Sequence, residues 1–242
     1  MTRRSVLALA FAQLEQSSVS WIELDLIHGS RKVRWPNPNQ KIGFGSLLKP
    51  FLALAYGATH SSFPILTCSG TRQGCWLAHG HGRQDVVNAL ANSCNTYFLA
   101  LSAKLDRAAL DSTCLSYGLS PPDRSASPAS LIGKGSDWAQ SPINAAGAFG
   151  LLINNRSSPH VPSVLQAMAL CARAGTAREI QLPAYAKTGT APCSHIPMAS
   201  GDGFVAAIYP VAQPRTVLLV RHHGTTGAET ARDARRILIG KS

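Results

Sequence analysis

The chain has 242 residues, of which 45% are hydrophobic and 14% are charged. This composition excludes a disordered chain, because disorder requires few apolar residues and a high charge density. There is no run of about 18 apolar residues, so no membrane-spanning segment is predicted. Lysine and arginine number 23 against 12 aspartate and glutamate, and the net charge of +11 indicates an anionic partner such as a glycan, lipid head groups or nucleic acid.

The N-terminal segment has a basic start and then an apolar stretch that ends at Ala12. This pattern fits a very short signal peptide. The helical spacing of Leu7, Phe11 and Leu14 fits an amphipathic helix instead, and we favour the helix. An export signal is therefore in doubt, unless the chain begins inside a longer protein.

Strand patterns lie at both ends of the chain, and helix patterns lie between them. The predicted strands are residues 19–26, 32–35, 184–191, 203–209 and 216–221. The predicted helices are residues 47–56, 85–105, 108–117, 142–154, 161–174 and 228–239, with a loop at 59–83.

The order of these elements predicts one domain over residues 1–242, of the α/β (α+β) class. We expect a mostly antiparallel five-stranded sheet that is built from both chain ends and flanked by helices. This sheet lobe comprises about 1–58 and 176–242, and an inserted all-helical lobe comprises about 59–175. A cleft between two such lobes is the expected place for a site.

The six cysteines are too sparse for a disulfide framework, and no pair has the C-x-x-C spacing of a zinc or thioredoxin-type site. Cys68 and Cys75 flank a glycine-rich loop. They either form a disulfide in an oxidising compartment or pack as free thiols, and the sequence leaves both open.

The histidine pairs His79/His81 and His222/His223 are potential metal ligands. We expect no metal at either pair, because no nearby carboxylate or thiolate completes a ligand set. No cofactor is expected. Basic runs interleaved with aromatics are absent from the sequence, so no nucleic-acid partner is expected either.

Three short motifs occur in order: Ser46-Leu47-Leu48-Lys49, Ser93-Cys94-Asn95 and Lys187-Thr188-Gly189-Thr190. By composition S-x-x-K and S-x-N each arise by chance about 0.7 to 0.8 times in such a chain, but K-T-G only about 0.03 times. Singly, each motif is compatible with a helix cap, a solvated lysine or a surface turn. Their order and the element predicted under each one favour a functional set.

The first two motifs carry a nucleophile and a base. Ser46 stands at the start of the apolar helix, where free N–H groups favour an anion, and Lys49 follows one turn later on the same face. A serine hydroxyl needs a base, and lysine serves only if burial or a neighbouring cation such as Lys187 lowers its pKa. Ser93 and Asn95 fall between two helical stretches and are expected to project into a cleft.

The third motif lies in a predicted strand. Gly189 has no side chain to pack there, which weakens a strand. The usual reason for a glycine at such a position is the close approach of another backbone. An extended peptide can pair along such a strand. Lys187, Thr188 and Thr190 would then bind its terminal carboxylate by charge-assisted hydrogen bonds.

At these motifs the chain resembles the penicillin-binding transpeptidase domains, the acyl-serine family that includes the serine β-lactamases. The resemblance extends to residues 45–50, 81–82 with 89–98, 132–135 with 141–142, and 203–210, and in all it covers about residues 5–240. It implies a penicillin-binding transpeptidase-like fold.

The resemblance also implies roles. Ser46 would be acylated by a D-alanyl-D-alanine stem peptide of peptidoglycan or by a β-lactam, after Lys49 deprotonates it. Ser93, near Lys187, would pass the proton to the leaving amine, and Asn95 would bind the substrate amide. The backbone N–H groups of Ser46 and Thr190 would form the oxyanion hole.

The leading hypothesis is therefore a peptidoglycan D,D-transpeptidase or D,D-carboxypeptidase that acts outside the cytoplasmic membrane. The two share one acyl-enzyme and differ in whether an amine or water accepts the acyl group. Two alternatives stay open: a class D-like serine β-lactamase or β-lactam sensor, and a non-catalytic wall-binding pseudo-enzyme. The E-x-x-x-N loop of class A β-lactamases is not found, since neither Asn154 nor Asn155 has a glutamate four residues earlier.

Overall fold

The computed structural model describes residues 18–135, 137–193, 196 and 198–240, so the predicted N-terminal helix or signal lies outside the described residues. In this part of the chain the strands are β1 Val19–Asp25, β2 Arg31–Arg34, β3 Leu66–Cys68, β4 Gly82–Gln84, β5 Tyr185–Ala191, β6 Asp202–Tyr209 and β7 Thr216–His223. The α-helices are α1 Lys49–Gly57, α2 Val86–Ala91, α3 Asn95–Ser102, α4 Arg107–Ser116, α5 Pro142–Asn154, α6 Val161–Arg173 and α7 Gly227–Ile239. Shorter helical turns are Gly45–Leu48, Gly70–Gln73, Ser130–Lys134 and Arg178–Ile180.

The main sheet has five antiparallel strands in the order β2-β1-β7-β6-β5. Strands from both ends of the chain therefore form one sheet, and the predicted α+β class is confirmed. Strand β5 is an edge strand of this sheet, and its register pairs Lys187 with Ala206 and Gly189 with Phe204.

The central strands are buried on both faces. Alternate residues of β6 divide between two cores: Phe204 and Ile208 join the large core with the helices, whereas Val205 and Ala207 pack in a second core with α7. A strand that packs into a core on each face needs apolar residues on both faces, so β6 is a continuous run of buried residues. The sheet is thus a rigid base for the residues of β5.

The prediction of an all-helical lobe is wrong in one detail. Residues 59–83 were expected to form a loop, but β3 and β4 pair there as a small two-stranded sheet. Each strand has three residues, which is too short to give an alternating pattern. The loop between them is tight, since a Cβ on Gly70 would lie 2.0 Å from the Ala78 oxygen and one on Gly80 would lie 2.1 Å from the Cys68 oxygen.

The helical pattern over 85–105 is interrupted between α2 and α3, at the turn where Ser93 was expected to lie between two helical stretches. The interruption holds Ser93 in the left-handed region, with φ of +54°. Among the described residues, no helix combines the length and the apolar character needed to cross a membrane.

Candidate active site

Ser46 lies in a 3₁₀ turn, Gly45–Leu48, that leads directly into α1. The sequence predicts the start of an α-helix, and the structure gives a tighter turn that packs on the edge strand β5. A Cβ on Gly45 would lie 2.1 Å from the Thr190 oxygen, and one on Gly189 would lie 2.2 Å from the Phe44 oxygen. The close backbone approach expected at Gly189 is therefore present, and it fixes Ser46 beside the K-T-G-T strand.

Lys49 is the first residue of α1 and is only 1% exposed. Its amine donates hydrogen bonds to Asn95 Oδ1 at 2.7 Å and to the Ser93 carbonyl at 3.1 Å. Burial, and next the charge of Lys187, lower the pKa of Lys49 well below that of a free lysine. The site therefore favours the neutral amine that a general base requires.

Lys187 is fully buried in β5, and its amine meets the second motif. It donates to Ser93 Oγ at 3.0 Å and to the Thr188 carbonyl at 2.7 Å. Burial lowers the pKa of Lys187 to about 8. Ser93, in its left-handed conformation, is thereby connected to both lysines, to Lys49 through its carbonyl and to Lys187 through its hydroxyl. Strained backbone of this kind is typical of functional sites.

A cleft of about 350 Å³ opens above this network. Its lining comprises Ser46, Trp76, Ser93, Asn95, Ile132, Gly133, Lys134, Thr176, Thr188, Gly189, Thr190, Thr226 and Ala228. All three motifs thus contribute to one cleft, and the two lysines reach it through their bonds to Ser93 and Asn95.

Ser46 is half-buried and lines this cleft. No hydrogen bond to it, from Lys49 or from elsewhere, is present within the described part of the chain. Catalytic hydrogen bonds are often long before substrate binds and tighten in the complex. The Ser46 oxygen is therefore free to meet a substrate carbonyl.

The structure separates Lys187 from Thr188 and Thr190, the two threonines with which it was expected to bind a carboxylate. The Lys187 amine is directed at Ser93. The Thr188 hydroxyl bonds to the Thr176 hydroxyl at 2.6 Å, and Thr190 Oγ1 accepts from the Gly227 N–H at 3.0 Å. The two threonines line the cleft, while Lys187 supports Ser93.

Sequence reasoning missed several residues of the lining. Trp76 donates from Nε1 to the Ser93 carbonyl at 3.2 Å, and Lys134 donates to the Gly74 carbonyl at 2.8 Å. A Cβ on Gly133 would lie 2.1 Å from the carbonyl carbon of Gly45, so this turn packs tightly against the Ser46 segment. The resemblance over 132–135 was a signal for this turn, but nothing in the sequence singled out Trp76.

The prediction that no carboxylate or thiolate lies beside the histidines is wrong. His222 Nδ1 lies 2.6 Å from Asp233 Oδ2, and His223 Nδ1 lies 2.9 Å from Asp202 Oδ1. His81 Nδ1 lies 3.4 Å from the sulfur of Cys75, which, like Cys68, is a free thiol in the structure. These partners come from separate elements, so proximity along the sequence did not reveal them.

Comparison with known proteins identifies the fold. No protein-family model and no curated protein sequence matches the chain. Among solved structures, Pseudomonas aeruginosa PBP2 in complex with WCK 5153 matches with a TM-score of 0.78 and 15% identity, over 98% of this chain and 76% of that one.

Two further structures agree. Penicillin-binding protein PBP2 from Helicobacter pylori matches with a TM-score of 0.74 and 16% identity, over 100% of this chain and 63% of that one. PBPA from Mycobacterium tuberculosis matches with a TM-score of 0.73 and 16% identity, over 91% of this chain and 73% of that one. The chain therefore has a penicillin-binding transpeptidase-like fold, as the motifs predicted.

Proposed function

We propose that this chain is a serine acyltransferase of peptidoglycan, a D,D-transpeptidase or D,D-carboxypeptidase, with Ser46 as its nucleophile. The observation that carries the proposal is the network in which Lys49 and Lys187 both bond to Ser93 beneath a cleft that Ser46 lines. Two buried amines and two serines around one cleft are the groups that acyl transfer to serine requires.

In the first step the Ser46 oxygen attacks the carbonyl carbon of the penultimate D-alanine, and its proton passes to the Lys49 amine. The tetrahedral intermediate then breaks its C–N bond. Lys49 then gives this proton to Ser93, and Ser93, which Lys187 orients, passes its own hydroxyl proton to the nitrogen of the departing D-alanine. The result is an ester on Ser46, one free D-alanine and a neutral Lys49 amine.

In the second step a nucleophile attacks the ester carbonyl and gives its proton to the Lys49 amine. The ester C–O bond then breaks, and Lys49 returns the proton to the Ser46 oxygen, which restores the hydroxyl. Water as nucleophile yields a shortened peptide, and the amine of a neighbouring stem peptide yields a cross-link. The negative oxygen of each intermediate would be bound by the N–H groups of Ser46 and Thr190. Support for this pair is the close packing of the Ser46 turn on Thr190.

The substrate would bind as an extended peptide beside β5, which is an edge strand. Asn95 uses its Oδ1 for Lys49, so its Nδ2 group is the donor for the substrate amide. The hydroxyls of Thr188 and Thr190 would bind the terminal carboxylate. Such a substrate places the protein outside the cytoplasmic membrane, and an anionic glycan surface would suit its net charge of +11.

We further propose that β-lactams acylate Ser46. PBPA from Mycobacterium tuberculosis, one of the structural neighbours, is described as a ceftriaxone acyl-enzyme complex. The same chemistry here would leave the opened β-lactam on the Ser46 oxygen, since its amide nitrogen stays tethered and cannot depart.

The test is D-alanine release from a synthetic stem peptide that ends in D-Ala-D-Ala, with and without an added amine acceptor. We expect release by the wild-type chain and by Ser116→Ala, an exposed serine at the end of α4, and none by Ser46→Ala. Release that persists in Ser46→Ala, or no release by any variant, contradicts the proposal. Rapid turnover of a chromogenic cephalosporin without D-alanine release supports a serine β-lactamase instead.

A further inference from the structure

A cluster of three cysteines and one histidine lies behind the Ser93–Asn95 turn. It comprises Cys68, Cys75, His81 and Cys94, whose three sulfurs and one ring nitrogen all lie within 4.8 Å of one another. His81 Nδ1 is 3.7 Å from the Cys68 sulfur and 3.4 Å from the Cys75 sulfur. The three cysteines are 3%, 5% and 0% exposed, and His81 is half-buried.

The fold assembles this cluster from one hairpin and one turn. Cys68 ends β3, Cys75 follows the 3₁₀ turn Gly70–Gln73, and His81 immediately precedes β4. The tight contacts of Gly70 and Gly80 described above close the loop, so three ligand residues converge within a short segment. Cys94 joins them from the start of α3.

The spacing suits a tetrahedral zinc ion. Zinc lies at about 2.3 Å from sulfur and about 2.0 Å from imidazole nitrogen, so neighbouring ligand atoms of a tetrahedron are about 3.5 to 3.8 Å apart. The two sulfur–nitrogen distances to His81 already agree with this value. Three thiolates and one imidazole are a closed, soft ligand set that favours zinc over magnesium or calcium.

We infer that Cys68, Cys75, His81 and Cys94 form a structural zinc site. This zinc site goes beyond the proposed acyl transfer and does not depend on it. Four protein ligands complete the tetrahedron, which leaves no position for a substrate or for activated water, so the ion would stabilise the fold and take no part in acyl transfer. Thr96 Oγ1, 3.3 Å from the Cys68 sulfur, would orient that ligand.

The site would fix one wall of the cleft. Cys94 is the middle residue of S-x-N, and the preceding Ser93 carbonyl accepts from Lys49 and from Trp76. Trp76 follows Cys75 directly, and its ring packs against His81 at 5.3 Å between centroids. The ion would thus tie the β3–β4 hairpin to the turn that holds Ser93 in its left-handed conformation.

The test begins with the full chain, purified with a reductant and without a chelator. We expect about one zinc per chain by elemental mass spectrometry. After metal removal, Co²⁺ should give the thiolate-to-cobalt charge-transfer band and the intense visible bands of a tetrahedral site. Neither readout requires enzymatic activity, and the wild-type spectrum decides the matter even where a variant fails to fold.

Cys75→Ala and His81→Ala should lose the bound zinc and the charge-transfer band. The matched control is Cys114→Ala, which removes a fully buried cysteine of α4 outside the cluster and should keep both. A wild-type chain that binds neither ion, or that binds Co²⁺ without thiolate charge transfer, overturns the inference. So does a Cys68–Cys75 disulfide, seen as a loss of two hydrogens by intact mass, that persists when reductant and zinc are present.

Discussion

The two walls of the cleft are built in different ways. One wall is β5, where Lys187, Thr188 and Gly189 are fixed by antiparallel pairing with the buried strand β6. The other wall is the turn Ser93–Asn95, where the backbone is left-handed at Ser93 and polar contacts hold the geometry. Hydrophobic packing therefore fixes the first wall, and specific hydrogen bonds fix the second.

This difference indicates how substitutions in each wall should affect the site. A strand register is difficult to shift, because one step turns every buried side chain to the other face. A strained turn keeps its shape only while its surroundings determine it. Changes at the turn should affect acylation with little loss of fold, whereas changes in β5 should affect both.

The largest effect is expected from Lys49, whose amine bonds to Ser93 and Asn95 in the turn. Lys49→Met keeps most of the side-chain volume and removes the base, so we expect penicillin acylation to fall by about 10² to 10⁴-fold. The fold should persist, because the change removes a buried amine from an apolar setting. Stopped-flow acylation and circular dichroism measure the two effects, and Lys104→Met, an exposed lysine, is the control. Unchanged acylation in Lys49→Met would place the base elsewhere.

The wall of β5 is tested by Gly189→Ala. The added Cβ would lie 2.2 Å from the Phe44 oxygen, so the Ser46 turn must move. We expect a loss of about 1 to 3 kcal/mol in the free energy of unfolding and a fall of about 10²-fold in acylation.

The matched control is Gly147→Ala in α5, where an added Cβ meets nothing within 4 Å. This change should raise the free energy of unfolding by about 0.4 to 1 kcal/mol and leave acylation as it is. Denaturant titrations of both variants give the comparison. Equal stability in the two variants would mean that the close approach does not constrain Gly189.

The turn is tested by removing the proposed zinc. We expect the metal-free chain and Cys75→Ala to acylate about 10 to 100-fold more slowly than the zinc-loaded chain, because Cys94 no longer fixes Ser93. Readdition of zinc should restore the metal-free wild type but not the variant. Acylation that is indifferent to zinc would show that the turn is held by its hydrogen bonds alone.

A smaller effect concerns pH and Lys187. Burial lowers the pKa of Lys187 to about 8 in the folded chain, against 10.5 for a free lysine. Between about pH 8 and pH 10.5 the unfolded chain therefore carries a proton on Lys187 that the folded chain has lost. The contribution of Lys187 to stability therefore rises with pH from about 8 to 10.5, by up to about 3 kcal/mol. Across this pH range the free energy of unfolding of the wild type should therefore rise relative to that of Lys187→Met. Parallel curves would show that Lys187 titrates normally.

The sequence predicts the sheet wall better than the turn wall. Gly189 in a strand already indicated a close backbone approach, and the apolar strands at both chain ends indicated one sheet. The partners of Ser93 could not be predicted from the sequence, because Lys187, which bonds to its hydroxyl, lies 94 positions away and Trp76 belongs to no motif. The cysteine cluster was missed because its residues follow no zinc-type spacing and Cys94 lies inside another motif.

The most direct test of the central claim is to locate a penicillin adduct. After brief exposure to penicillin, tandem mass spectrometry of a digest should find the mass of one intact penicillin on the peptide that contains Ser46. We expect that adduct on the Ser46 oxygen and on no other residue. A chain that forms no adduct, or carries it on Ser93 or on a cysteine, would contradict the account.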